Sequence, residues 1–350
     1  MRLAFPRSGD RWLRAARRVL VLRQQLSRQA QRPTVGGEFW TKMWREAAAE
    51  VGAEFVDLGE GFSEIRRGEQ RTRVRGKNVM LDDPVTLRLA GNRMVVHRLL
   101  ADAGLPTPAF AAFDLGSLGT AQDFAHRQGG LCVVKPARGT GGGDGVTTHV
   151  GAGAELRRAA LHASIFCPAL VVEEQVPGDV YRLLYLKGRF LDAVRRRPPI
   201  VVGDGRSTLR SLIDTENRRR AQRGVGGIAI DPDSRAALAR AGHSLRSVPR
   251  TGTRVSVKGV SNAGSELESE SVCEEIGKDL RTEGARAAQV LGVQLAGVDV
   301  ITPDPSLGLR ESGGSVNEVN TTPGLQWHYH VRNPEQGVPV AVPILEELLS

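Results

Sequence analysis

A lysine closes an apolar run at Val133-Val134-Lys135-Pro136, and five glycines follow between Gly139 and Gly145 (Gly139, Gly141, Gly142, Gly143 and Gly145). Glycines let backbone N–H groups wrap an anion, and an ammonium held beside them suits phosphate. The chain has six lysines against 42 arginines, so a lysine at a strand end stands out. No Gly-Lys-Ser/Thr opens a helix, so this is not a P-loop, and a flexible hairpin loop is the competing reading. In a second cluster, Val171-Val172-Glu173-Glu174-Gln175-Val176-Pro177-Gly178, an apolar strand runs into acids. Such a hinge could meet an adenine edge with its backbone while a carboxylate holds ribose hydroxyls; a surface strand end explains the same residues. The third cluster joins Gly297-Val298-Asp299-Val300 to Val316-Asn317-Glu318-Val319-Asn320-Thr321-Thr322-Pro323-Gly324. Glu318 and Asn320, two apart on a strand, share a face, and Asp299 from a neighbouring strand completes an all-oxygen set suited to Mg²⁺ with nucleotide phosphates. Edge-strand polar residues before a Pro-Gly turn are the alternative, which leaves unexplained why both acids interrupt apolar strands.

Strands and turns must position these groups. Periodicity predicts a helix over 39–50, a strand over 54–58 and a hairpin from 62–67 to 71–75. Asp82-Asp83-Pro84 starts one helix, and a second spans 92–103, stopped by Gly104 with Pro106 and Pro108 beyond. Strands follow over 131–135, 146–150, 170–174 and 180–186, and Lys187-Gly188 turns the last into 189–195, so the sheet is at least partly antiparallel. Ser207 reads as the N-cap of a helix to Asn217, 218–250 as loop with one short helix, and 271–291 as one long helix. Strands near 296–302 and 315–320 and a helix near 342–349 complete the pattern, which contains no internal repeat.

Composition narrows the class. Of 350 residues, 40% are hydrophobic and 25% charged, which excludes collagen-like and wholly disordered chains. No apolar run approaches the ~20 residues needed to span a bilayer. The formal charge of +9 comes mostly from residues 1–32, which hold nine arginines against Asp10 alone, leaving the body nearly balanced. A high isoelectric point of that origin is poor support for specific nucleic-acid binding. The basic segment has helical apolar spacing and reads as a leader helix docking on the body, with an anionic membrane surface as the other option. Cys132, Cys167 and Cys273 are too scattered for a disulfide frame or a zinc site and suit a reducing cytoplasm.

In order, the clusters resemble the ATP-grasp superfamily, in particular the ATP-grasp region of cyanophycin synthetases and related carboxylate–amine ligases. The resemblance runs from about Leu89 to Glu347. It includes Leu99 to Pro108, Val134-Lys135-Pro136 with its glycine loop, Val172-Glu173 to Pro177-Gly178, Val202-Gly203-Asp204-Gly205-Arg206-Ser207-Thr208-Leu209, Gly297-Val298-Asp299, and Glu318-Val319-Asn320 to Pro323-Gly324. It implies an α/β (α+β) ATP-grasp fold, two α+β subdomains clamping ATP over 89–350, preceded by a small α/β segment over 33–88 and a basic N-terminal helix over 1–32. It further implies an enzyme that joins a small carboxylate substrate to an amine through an acyl phosphate. Lys135 and the loop of Gly139, Gly141, Gly142 and Gly143 would hold the phosphates, and Glu173, Glu174 and Val176 the adenosine. Arg93 stands where the family has a lysine. Asp299, Glu318 and Asn320 would hold Mg²⁺, with Mn²⁺ as the alternative. Arg182, Arg195 and Arg196 are candidates to grip the carboxylate or acyl phosphate, a solvated basic strand being their plainer reading.

Departures concentrate in acceptor positions. Val180 replaces an acid after Pro177-Gly178, Pro198-Pro199-Ile200 lacks a histidine, and Ser261 to Ser265 alters a glycine-rich loop, with Lys258 just upstream. The Mur-ligase-like module of cyanophycin synthetases is not expected beyond Ser350, so the expectation is a ligase making a dipeptide, an amide or a peptide product. A ligase acting on a protein or peptide tail, a non-catalytic ATP-binding protein, and a homo-oligomer remain open alternatives.

Overall fold

The computed structural model describes residues 13, 15–21, 37–139, 143–222, 226–260 and 268–350. Strands β1 (Glu54–Gly59), β2 (Phe62–Arg67) and β3 (Gln70–Arg75) form a three-stranded sheet in that order. Strands β4 (Phe110–Phe113), β5 (Cys132–Pro136), β6 (Thr147–Val150) and β7 (Leu170–Glu174) form a second sheet in the order β4-β7-β5-β6. Strand β8 (Asp179–Leu186) turns through Lys187-Gly188 into β9 (Arg189–Arg196), and β10 (Ile200–Val202) pairs with β11 (Arg254–Ser256). With β12 (Ser269–Ser271), β13 (Leu295–Thr302) and β14 (Ser315–Thr321), the hairpin builds a five-stranded sheet in the order β12-β9-β8-β13-β14. All pairings between these strands are antiparallel.

The chain packs as two compact units. The first comprises residues 1–32, 108–175 and 198–263. The helices Leu118–Gln128 and Ala154–Phe166 pack Phe124, Leu156 and a row of alanines (Ala121, Ala159, Ala160, Ala163) with Val134, Leu170 and Val172 of the four-stranded sheet. Leu13 joins this core, and Arg17 Nε donates to the Ser164 carbonyl at 2.7 Å, whereas Val19 is exposed. Leu13 and Arg17 thus tie the described part of the leader helix to this core, while the expected apolar stripe is exposed at Val19 and, at Trp12 and Leu26, lies outside the described residues. The helix expected to end at Asn217 spans Leu209–Gln222. Its start lies one residue later than expected: the Ser207 N–H and hydroxyl donate to Asp204, and Thr208 Oγ1 accepts from the Ser211 N–H. The short helix expected within 218–250 is Pro232–Arg240, whose N-cap Asp231 forms a reciprocal box with Ser234.

The second unit comprises residues 33–107, 176–197 and 264–350. One face of its five-stranded sheet is apolar: Tyr181, Leu183, Tyr185, Val298, Val300, Val316 and Val319 pack with Val96, Leu100, Leu280 and Ala287 of the helices Arg93–Asp102 and Lys278–Val290. The helix Gly37–Glu50 buries Met43 and Trp44 with Ile65, Leu184, Leu186 and the C-terminal helix Ala341–Leu348. Segment 33–88 thus shares a core with the end of the chain. Residues 271–291 are not one helix: β12 and a 3₁₀ turn at Cys273–Glu275 come first, and the helix starts at Lys278.

Two irregularities in the ladders aim the polar face. On β9, Asp192 pairs with Leu184 but Phe190 pairs with Tyr185, so Leu191 is an extra residue. On β14, Glu318 pairs with Asp299 but Val316 pairs with Val300, so Asn317 is extra. Each insertion flips the alternation of side chains beyond it.

Candidate active site

In the first unit, Lys135 on β5 stands opposite Val171 and Glu173 on β7 opposite Val133, which makes the two diagonal neighbours on one face. Lys135 Nζ lies 2.6 Å from Glu173 Oε2, and both side chains are buried. Glu174 is exposed, and its carboxylate accepts the Ala109 N–H at 3.3 Å. Gly139 and Gly143 take positive φ, and Gly141 and Gly142 lie outside the described residues. Gly145 has φ +76°, and a Cβ there would sit 2.7 Å from the Phe166 ring, so only glycine lets the end of the loop press on that helix. Further along, Thr148 donates its N–H and hydroxyl to buried Asp233, whose other oxygen accepts the Gly259 N–H at 2.8 Å. Lys258 Nζ is 2.6 Å from Asp231 Oδ2. Burial works against the Asp231 charge, yet Lys258 outweighs it and holds the carboxyl below its usual range.

In the second unit, the polar face of the five-stranded sheet collects the rest. Arg182 of β8 pairs with Asp299 of β13, which pairs with Glu318 of β14. The Arg182 guanidinium donates from Nε and Nη2 to the two Asp299 oxygens at 2.6 Å each. Asn320 Nδ2 donates to Asp299 Oδ2 at 3.3 Å, and Arg93 Nη2 donates to Glu318 Oε1 at 3.1 Å. Burial opposes the Arg182 charge, but pairing with Asp299 prevails and raises the pKa of Arg182. Val176, on the same unit, is buried.

The three arginines part company here. Arg195 pairs across the ladder with Tyr181, on the apolar face, and is ion-paired to Glu270 and Glu275. Arg196 pairs with Val180 and lies on the polar face with Arg182. It is buried, and no carboxylate of the described residues lies within ion-pair distance of it. Burial and the nearby positive Arg182 bring its pKa down to about 10, against the weaker pull of Asp299, Glu318 and Glu268.

No protein-family model matches the chain. Cyanophycin synthetase of Trichormus variabilis is 30% identical over 260 residues, covering 72% of this chain and 28% of that protein. The glutathione biosynthesis bifunctional protein GshAB of Streptococcus mutans is 28% identical over 304 residues, covering 81% of this chain and 39% of that protein. The crystal structure of a bifunctional glutathione synthetase from Pasteurella multocida superposes with a TM-score of 0.56 at 21% identity, over 88% of this chain and 43% of that one. These relatives support an ATP-grasp superfamily relationship for the chain. It spans less than half the length of these relatives.

Within the chain, Asp299, Glu318, Asn320, Arg182, Arg196 and Arg93 gather in one unit, and Lys135 with Glu173 in the other. Two residues of the polar face escaped the sequence reading. Trp327 stacks on Arg196, its ring centroid 4.3 Å from Cζ, and Ser269 stands directly opposite Arg196 in the ladder. An aromatic three residues after Pro323-Gly324 was the available signal for Trp327; a polar Ser-Glu-Ser strand offers none for Ser269.

Proposed function

We propose that the chain is an ATP-dependent carboxylate–amine ligase of small substrates. The observation that carries this is the joint presence, on one face of one sheet, of an all-oxygen donor set and a buried arginine without an ionic partner among the described residues. Asp299, Glu318 and Asn320 fit a divalent cation by their chemistry: two carboxylates and an amide leave room for phosphate and water, as Mg²⁺ prefers and Mn²⁺ tolerates. When bound, the cation neutralises phosphate charge. Arg182 and Arg93, each on one of these carboxylates, keep the set near neutrality and fix its geometry. Lys135 would hold ATP phosphates beside the glycine loop of Gly139 to Gly143, and Glu173, Glu174 and Val176 the adenosine.

The acid's carboxylate oxygen takes the γ-phosphoryl group, releasing ADP. The amine nitrogen then attacks the acyl carbon, loses a proton, and phosphate leaves. Such chemistry depends on positioning and charge more than on a protein nucleophile. Accordingly the Cys273 thiol is no nucleophile: burial and a hydrogen bond to Asp192 push it up to about 12. The free thiols suit the reducing cytoplasm. Among the described residues no helix is long and apolar enough to cross a membrane.

The test is ADP release from Mg·ATP with pooled amino acids, small peptides and other carboxylates, followed by mass spectrometry. ADP with a new condensation mass is the expected result, and splitting the pools names the substrates. AMP and pyrophosphate in its place would overturn the acyl-phosphate route.

A further inference from the structure

Residues 198–258 hold eleven arginines and Lys258 against five acids, a basic block that the nearly balanced total of the body conceals. The fold spends most of those acids locally. Asp231 pairs with Lys258, Asp233 takes the Thr148 hydroxyl and the Gly259 N–H, and Glu216 pairs with buried Arg220. Asp204 accepts from the Ser207 and Arg206 N–H groups and from the Ser207 hydroxyl, and these bonds bring its pKa down to about 2. Arg206, Arg210, Arg246, Arg250 and Arg254 are left exposed, with no ion-pair partner among the described residues.

The Val202-Gly203-Asp204-Gly205-Arg206 run assembles these arginines along one seam. A Cβ on Gly203 would collide with the Arg250 carbonyl, and one on Gly205 would meet Thr251 Oγ1 at 2.8 Å, so the two glycines let 203–205 press on 249–251. Backbone N–H groups of Gly205, Leu209 and Arg210 donate to the carbonyls of Pro249, Ser247 and Leu245 and carry the seam into the helix Leu209–Gln222. Arg206 and Arg250 therefore adjoin one of these bonds, and Arg210 and Arg246 another. At the other end β10 pairs with β11: Val201 and Val255 are buried there, while Val202 and Arg254, opposite each other, are exposed. Val202 and Val248, 50% and 48% exposed, are the apolar side chains of this surface. Clustered like charges raise the local concentration of anions, and guanidinium edges match carboxylates in bidentate fashion. Residues 198–258 contain no aromatic side chain on which nucleic-acid bases could stack. Two half-exposed valines do not make the apolar face that a membrane-surface element buries. We propose that this seam is a docking surface for an acidic peptide segment of a partner protein, with carboxylates on the arginines and apolar side chains on Val202 and Val248. Docking there is independent of the ligase reading, since the seam holds none of the residues assigned to nucleotide, metal or acid.

The full chain is titrated at low salt with a fluorescein-labelled peptide of repeated Glu-Val-Gly, and with its Gln-Val-Gly counterpart, and binding is followed by fluorescence anisotropy. The acidic peptide binds, the glutamine peptide does not, and added salt weakens the complex. Arg206→Gln and Arg250→Gln each cost about 2- to 5-fold in affinity, the worth of one exposed ion pair. Replacing Arg206, Arg246, Arg250 and Arg254 together by glutamine abolishes binding without lowering the unfolding midpoint. Val202→Ser with Val248→Ser weakens binding further, which ion exchange alone would not show. Arg157→Gln with Arg158→Gln, two exposed arginines of the helix Ala154–Phe166, leaves it unchanged. Equal binding of the glutamine peptide, or binding of the acidic peptide that survives the fourfold variant, overturns the docking surface. So does tighter binding of a DNA duplex or of phosphatidylserine vesicles that the fourfold variant abolishes, which would assign the seam to phosphates. Self-association of the chain that the same variant disperses would assign it to a second copy instead.

Discussion

Both units bury a cross-strand ion pair, and the two pairs are built differently. Lys135 meets Glu173 diagonally, one ammonium on one oxygen, in a ladder that is regular at that point. Arg182 meets Asp299 directly across the ladder, fork to fork, beside Asn320 and the Arg93–Glu318 pair, next to a bulge at Asn317. An ammonium on a flexible stem can exchange its carboxylate for a phosphate, whereas a bidentate guanidinium is a fixed element of its site. The first pair is suited to releasing a cation to a ligand, the second to holding a carboxylate still.

The largest effect expected from breaking this contrast is on turnover. Glu318→Gln removes one anionic oxygen donor and leaves a side chain of the same shape, about a third exposed and paired to Arg93. Turnover should fall by about 100- to 1,000-fold, the scale on which one preorganised electrostatic contact acts, with the melting curve nearly unchanged. Unaltered turnover in Glu318→Gln would remove Glu318 from the metal set.

Next comes stability. Asp299→Ala strands the Arg182 charge in a buried site and should cost about 3–5 kcal/mol by urea unfolding. Glu173→Ala removes a single-oxygen, diagonal contact of a flexible lysine stem in place of a bidentate fork, so its cost should be smaller. Parallel deficits in both variants would erase the distinction between the pairs.

Much of this was legible where a local rule decides. Asp83 caps the helix Pro84–Ala90, Asn92 the helix Arg93–Asp102, and Lys187-Gly188 closes the β8–β9 hairpin, because capping and two-residue turns are written in a few adjacent residues. What failed depended on partners far along the chain. Ser269–Ser271 becomes a strand only because β9 offers Arg196 to Val194 as a pairing edge, and nothing in Ser-Glu-Ser announces it. Arg195 and Arg196 stayed undistinguished in the sequence for a sharper reason. Counted from the Lys187-Gly188 turn, Leu186 pairs with Arg189, and a regular ladder would then put Arg195 on the face of Arg182. The extra residue Leu191 reverses that parity and delivers Arg196 instead. A bulge answers to the packing of Tyr185 on Phe190 on one face and of Leu191 beside Leu184 on the other, which no short window of sequence contains.

That reversal sets the smallest prediction. If parity decides which arginine serves the acid, Arg195→Gln should raise the KM for the acid far less than Arg196→Gln does. Arg195 is tied to Glu270 and Glu275 at a margin where Glu270 also holds Arg332, so its loss leaves an acid that still has a partner. The stability cost should be about 1 kcal/mol or less, as for other partly solvated pairs. Steady-state kinetics of the two variants with the same acid gives the comparison directly. A larger KM effect for Arg195→Gln would mean that the ladder slips back to the regular register when substrate is bound, with Leu191 absorbed into the pairing.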